Sequence, residues 1–160
     1  MTKLSVSSLL AFSLLAVPLY GQKALAKVEG NSVDHAGILQ SWDDASQARG
    51  KSTYENLCAN CHGTDGITPA LPISRAFGKG PLKFGDDPYS MFVTLTKGNG
   101  LMGPQTWMSP EERYDVIHYI REKFMKPMYT GYKPITQDYL EGLPKVTVAP
   151  APKKKRPDRD

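Results

Sequence analysis

Cys58-Ala59-Asn60-Cys61-His62-Gly63 is the stretch on which the reading of this 160-residue chain turns. It holds both cysteines of the chain, three positions apart, with a histidine directly after the second. Residues i and i+3 of a helical turn share a face, so both thiols can reach the two vinyl groups of one porphyrin. The imidazole that comes next turns toward the iron at the ring's centre. Cysteine, two residues, cysteine and histidine in this order form the pattern of c-type haem attachment.

Other uses of a cysteine pair fit less well. A thioredoxin-type redox pair expects a βαβ context, and none surrounds residue 58. A closed zinc site needs four ligands, and there is no second C-x-x-C and no H-x-x-x-H. A structural disulfide across so short a loop is uncommon.

Residues 1–26 read as a secretory signal. Lys3 gives the positive start, Leu4 to Tyr20 an apolar run of 17 residues broken by Pro18, and Ala24-Leu25-Ala26 an A-x-A cleavage site. The run is shorter than the ~20 residues that span a bilayer, and no later segment comes close. No cysteine stands near the cleavage site, which argues against a lipoprotein. The expectation is a mature, exported, soluble chain from Lys27, located in the periplasm, with no stable membrane span after cleavage. Export agrees with haem attachment, which in bacteria takes place outside the cytoplasm.

The formal charge of +4 is unevenly spread. Losing residues 1–26 removes Lys3 and Lys23, which leaves 18 basic against 16 acidic side chains. Residues 145–160 carry six of the basic and two of the acidic ones, so residues 27–144 have a formal charge of −2. The basic character belongs to the tail, and nothing supports nucleic-acid binding by the globular part.

Along the chain, residues 27–43 form an unpatterned lead-in, expected to pack loosely. A helix is predicted to begin between Ser41 and Asp44, where Ser and Asp offer N-cap oxygens, and to run through Ala45, Ala48, Gly50, Tyr54, Leu57 and Cys58. Gly63 comes after it as its C′ residue. Gly50 weakens that helix, and is read either as a close backbone crossing or as a tolerated residue on a wet face. Residues 63–85 hold five glycines and three prolines and form a long loop, in the functional version one that covers a haem. Asp87-Pro88 starts a short helix with Tyr89, Met91, Phe92 and Leu95 on one side, ended by Gly98. After an irregular loop over 98–108, Ser109-Pro110-Glu111-Glu112 forms a capping box. The helix it opens buries Val116, Ile117, Ile120 and Phe124, with Tyr119 beside them, and is predicted to stop before Pro127. Ile135 to Leu140 suggests one more short helix, closed by Gly142 and Pro144. From Lys145 the Pro/Lys-rich tail is expected to be disordered. The resulting organisation is 1–26 signal, 27–43 lead-in, 44–126 haem domain, 127–144 an extension packing on it, and 145–160 a basic tail.

Over roughly residues 44–124 the chain resembles a class I mono-haem c-type cytochrome. The resemblance runs through Gly50-x-x-x-Tyr54-x-x-x-Cys58-x-x-Cys61-His62-Gly63, then a loop, a helix, a methionine loop and a last helix with Tyr119-Ile120. The stretch from Pro104 through Trp107-Met108 to His118-Tyr119 looks like small cytochrome modules found alone or fused to exported bacterial dehydrogenases. The motif-first, methionine-later order argues against the cytochrome c′ type, and the single motif against di-haem peroxidases. The resemblance implies an all-α cytochrome c fold: three to five helices around one haem c held covalently through Cys58 and Cys61, with long irregular loops.

It further implies iron ligation by His62 on one side and a loop methionine on the other. Met102, in a Gly-flanked loop, is the expected distal ligand, although Gly103 stands between it and Pro104 where the family usually reads Met-Pro. Met108, directly before the helix, is the competitor and is read as core filling, as are Met91, Met125 and Met128. His35 and His118 are alternative ligands in principle, with His118 expected to be a surface or hydrogen-bonded histidine. Tyr54 and Tyr119 are read as packing residues between the first and last helices. Trp107 is read as lining the haem crevice, as reaching a propionate with its N–H, or as a buried core side chain. Arg75, Lys79 and Lys83 could pair with haem propionates or form a docking ring, or stand as solvated loop charges.

Together these readings predict one-electron transfer between redox protein partners in the periplasm, such as a dehydrogenase, a reductase or a respiratory-chain component. The protein itself is then a carrier rather than an enzyme. The rival is a dedicated cytochrome subunit of an exported oxidoreductase, and a haem-based ligand sensor stands third.

Overall fold

Asp43 starts the first long helix. In the computed structural model, which describes residues 32–144 and 147–148, its carboxylate accepts from Ser46 N (2.8 Å) while Ser46 Oγ accepts from Asp43 N (2.9 Å). This reciprocal cap satisfies two donors that a helix start leaves open. Helix α2 (Asp44–Thr53) continues through a π-turn (Tyr54–Cys58) into α3 (Ala59–His62). Gly63 ends it at φ +76°, a conformation open to glycine.

The second long helix begins as its sequence predicts. Ser109 Oγ accepts from Glu112 N (3.1 Å), Glu112 Oε2 accepts from Ser109 N (2.7 Å), and Pro110 opens the first turn. Helix α5 (Pro110–Ile120) buries Val116, Ile117 and Ile120, and a second π-turn (Arg121–Met125) comes after it with Phe124 and Met125 fully buried. The chain does not stop before Pro127. It continues as α6 (Lys126–Met128), with Pro127 at the start of that segment. The wide turn before it relieves the clash between a proline ring and the carbonyl of the preceding turn, which would otherwise end the helix.

α2 and α5 cross at Gly50. A Cβ there would lie 1.9 Å from the Asp115 backbone oxygen, so only hydrogen fits, and the close-crossing reading of this glycine holds. Beside the crossing, Arg49 donates to both oxygens of Asp115, at 2.6 and 3.1 Å. Burial is the largest influence on Asp115 and raises its pKa, with the Arg49 hydrogen bond opposing it. Tyr54 and Tyr119 meet at the same contact, ring centroids 5.4 Å apart. Helix α4 (Pro88–Lys97), capped by Asp87 and ended by Gly98 at φ +73°, packs against α5 through Met91 and Phe92.

The lead-in departs from its expectation. Its last residues form β1 (Ser32–Val33) and α1 (His35–Gln40), and His35, Ile38 and Leu39 are buried. A six-residue helix is under two turns, too short for its apolar positions to show a period. The expected short helix near the C-terminus is α7 (Gln137–Glu141), with Thr136 as N-cap. Within the tail expected to be disordered, β2 (Thr147–Val148) pairs antiparallel with β1, Ser32 opposite Val148 and Val33 opposite Thr147. The expectations for residues 1–26, and for the rest of the tail, lie outside the described residues. Among those described, no helix is long and apolar enough to cross a membrane.

Gly50→Ala tests the crossing. On an open helix face this change gains ~1 kcal/mol of helix propensity. Here the methyl group meets backbone, and urea unfolding of the haem-bearing protein is expected to show a net loss of about 1–3 kcal/mol. A stabilised variant would mean that the helices do not approach at this point.

Candidate haem-binding site

A cavity of about 340 Å³ opens between the end of the first helix, α4, α5 and two loops. Cys58 and His62 line it from the first helix, Met91 from α4, Val116, Ile117 and Ile120 from α5, and Met102 from the turn after α4. The C-x-x-C-H histidine and the expected distal methionine therefore face one space. Met108 does not line it and is buried in the core, whereas Met91, read from sequence as core filling alone, is both buried and part of the wall.

His62 is held at one ring nitrogen. Its Nδ1 lies 3.0 Å from the Arg75 carbonyl oxygen. A carbonyl only accepts, so Nδ1 carries the proton and Nε2 presents a lone pair. Such a hydrogen bond from the far nitrogen is what orients a metal-binding imidazole. Phe77 stacks on the same ring at 4.8 Å, fixing its plane. Around the motif, Leu71 N donates to Cys61 O (3.0 Å) and the Tyr54 hydroxyl donates to Gly63 O (2.8 Å). The glycine turn and the long loop are thereby tied to the helix that carries the cysteines.

Cys58 and Cys61 are both free thiols and half-buried. Burial, and secondarily the neighbouring Cys61, push the Cys58 thiol up to about 11, so it stays protonated at neutral pH.

Met102 sits in a tight turn. Asn99 N donates to Met102 O (2.8 Å) and Met102 N to Asn99 O (3.1 Å), with Gly100 at φ +60° and Leu101 at negative φ, the sign pattern of a II′ turn. Gln105 N donates to Leu95 O (2.8 Å), which pins the loop back onto α4. Gly98 is also required here, since a Cβ on it would come 2.5 Å from Met102 O.

The alternative histidines are engaged elsewhere and do not line the cavity. His35 Nδ1 is hydrogen-bonded to the Tyr114 hydroxyl (2.8 Å) inside a cluster with Tyr89 and Phe92. His118 Nδ1 is hydrogen-bonded to Ser46 Oγ (2.8 Å), and its ring stacks on Trp42. Burial, the largest influence on each, lowers both pKa values. Trp107 belongs to neither the cavity lining nor the core: it is 65 % exposed, and its indole N–H donates to Gln105 Oε1. Met108, next in sequence, takes the inward position that the loop offers. Arg75 lines the cavity and donates to the Pro81 carbonyl, and Lys83 lies over the Phe84 ring at the cavity mouth. Sequence reasoning missed the Arg75 carbonyl, because a main-chain acceptor has no side-chain signature.

The donor set suits a covalently held porphyrin. One thiol (Cys58), an imidazole with its free lone pair at Nε2 and a thioether share one space, the second thiol (Cys61) stands three residues on at helical spacing without lining it, and the lining is mostly apolar, which a porphyrin plate requires. Among the described residues no cluster of three or more His, Cys, Asp or Glu side chains offers an alternative metal site.

Residues 45–120 match the family model described as cytochrome c oxidase, cbb3-type, subunit III. No curated protein and no solved structure matched the chain. The matched stretch begins at the start of α2, contains the attachment motif, the Met102 turn and the Gly50 crossing, and ends with α5. The regular elements of that stretch are helices joined by long loops and gathered at an apolar cavity beside the motif, so residues 45–120 match a mono-haem c-type cytochrome domain and the fold is all-α, as in cytochrome c.

Proposed function

We propose that this protein is an exported, periplasmic one-electron carrier whose haem c is attached through Cys58 and Cys61 and ligated by His62 and Met102. The observation that carries the reading is the single cavity lined by Cys58, His62 and Met102, with His62 Nδ1 bonded to the Arg75 carbonyl. A haem bound there supplies an iron that exchanges one electron between its ferric and ferrous states. His62 offers Nε2 in a fixed orientation, and the Met102 thioether favours the ferrous ion. Apolar walls from Val116, Ile117 and Ile120 keep water away. Leu101 and Ile73, 82 % and 74 % exposed at the cavity mouth, give a partner an apolar surface beside the cofactor. If His62 and Met102 both held the iron, they would leave no place on it for a substrate, which would suit a carrier between redox proteins. The periplasmic location rests on the sequence of residues 1–26.

A second reading has its own support. The matching family model is described as a subunit of an oxidase, so a dedicated place in a respiratory complex is the alternative to a freely diffusing carrier. Co-purification of the protein with one membrane oxidoreductase at native stoichiometry would favour it.

Covalent attachment is checked by acid–acetone extraction of protein made with a haem-maturation system. The colour is expected to stay with the protein, and to leave it in a Cys58→Ala, Cys61→Ala double variant. Colour extracted from the wild type overturns the attachment.

Axial ligation has a separate test. The oxidised protein is expected to show the far-red band of a thioether–iron bond, and the reduced protein to resist carbon monoxide at neutral pH. Met102→Ala should remove the band, admit carbon monoxide and lower the potential. Met108→Ala should keep the band and cost about 2–5 kcal/mol of packing. Loss of the band on Met108→Ala alone would transfer the ligand role, and immediate carbon monoxide binding by the wild type would favour a ligand sensor.

A further inference from the structure

Arg113 is a buried cation on α5, one turn before the residues of that helix that line the cavity, and does not line it itself. With Val116, Ile117 and Ile120 it forms an i, i+3, i+4, i+7 set, and those three residues line the cavity. Arg113 is only 7 % exposed. Its partners are neutral: Nε donates to Ser109 O (3.4 Å), Nη1 donates to Thr96 Oγ1, and the guanidinium lies 4.4 Å from the centre of the Phe92 ring. Among the described residues no carboxylate forms an ion pair with it, in contrast to Arg49, whose charge is matched by Asp115. Glu111 acts on it only at longer range. Burial lowers its pKa from the ordinary value, yet a guanidinium is so basic that it stays charged.

A permanent charge in such a place has a defined effect on the neighbouring cavity. A ferric haem carries one more positive charge than a ferrous one, so a nearby buried cation disfavours the ferric state. Low-dielectric surroundings and the absence of a counter-ion leave that field weakly screened. We propose that Arg113 is a potential-tuning residue: its charge, held without a carboxylate partner one helical turn before Val116 and Ile117 of the Cys58–His62–Met102 cavity wall, raises the reduction potential of the haem. The inference rests on the haem c reading above.

The experiment is a spectroelectrochemical titration of the haem-bearing full chain. Arg113→Gln removes the charge, and Arg113→Lys keeps it. Thr96→Asp neutralises it by pairing while the arginine stays, so it guards against a Gln variant that does not fold. Thr96→Val removes only the hydrogen bond. At an effective dielectric constant of about 20, a unit charge shifts a one-electron redox ratio about tenfold from roughly 12 Å and about threefold from roughly 25 Å. Arg113→Gln and Thr96→Asp are each expected to lower the ferrous-to-ferric ratio at fixed ambient potential about three- to tenfold, tenfold being about 59 mV for one electron. Arg113→Lys and Thr96→Val are expected to stay within about 1.5-fold of wild type, whatever stability they lose. The proposal is overturned if Thr96→Asp leaves the ratio unchanged, or if Thr96→Val lowers it as much as the charge changes do. Acid–acetone extraction of the wild type separates the two levels: colour that extracts defeats the haem c reading, whereas retained colour with an unmoved ratio defeats only the role of Arg113.

Discussion

The backbone contact between Gly50 and Asp115 is the constraint on which the rest of the structure depends. With no side chain at residue 50, α2 lies directly on the main chain of α5, where a Cβ would sit 1.9 Å from an oxygen. That approach fixes both long helices at once. The continuation of α2 delivers Cys58 and His62, and the other side of α5 supplies Val116, Ile117 and Ile120. The cavity is the space between two elements whose separation is set at a neighbouring point. Arg49 adds a clamp on Asp115, but its side chain is 58 % exposed, so it orients the crossing more than it stabilises it.

Each helix of the crossing pair widens into a π-turn beyond the contact, Tyr54–Cys58 on one side and Arg121–Met125 on the other. The two turns hold aromatic residues that face each other, Tyr54 and Phe124 with ring centroids 5.1 Å apart, and Tyr119 at the end of α5 lies 5.7 Å from Phe124. A π-turn adds a residue to the helical register, which rotates the downstream turns of the helix relative to the upstream ones. On the first helix, the downstream residues are the haem motif. The register shift therefore lies between the face that packs on α5 and the face that presents the cysteines, where one side chain stripe could not serve both.

The parts legible in the sequence are those governed by short-range chemistry. The Cys58–His62 motif, the Ser109/Glu112 box and the Asp87-Pro88 start each depend on a few adjacent residues, and the structure places them as read. Gly50 was ambiguous, because a crossing partner 65 positions away leaves no local mark. Helix α1 was missed because fewer than two turns cannot display a period, and β1–β2 because its strands stand at opposite ends of the chain. Trp107 is exposed, against the core alternative among its readings, because the loop directs Met108 inward instead. The hold on His62 comes from a carbonyl, and main-chain acceptors are the same in every residue type. Local patterns thus named the candidate site residues, of which Cys58, His62 and Met102 line one cavity, and tertiary geometry alone revealed what positions them.

The segments flanking residues 45–120 have a physical role in that geometry. β1 and β2 join the two ends of the described chain, and α1 and α7 lie against each other beside that ladder. From α1, His35 reaches the Tyr114 hydroxyl on α5. From α7, the Tyr139 hydroxyl donates to Asp87 Oδ1 (2.7 Å) and accepts from Tyr89 N (2.9 Å), both at the start of α4. The hydrogen bonds to Asp87 outweigh its burial and hold its carboxyl below the usual range, so it caps α4 as an anion at neutral pH. The flanking pieces thus grip the two helices that form the cavity wall, at residues outside the cavity. A two-stranded ladder of two residues each is marginal on its own, so the grip comes from these side-chain contacts and the ladder closes the ring.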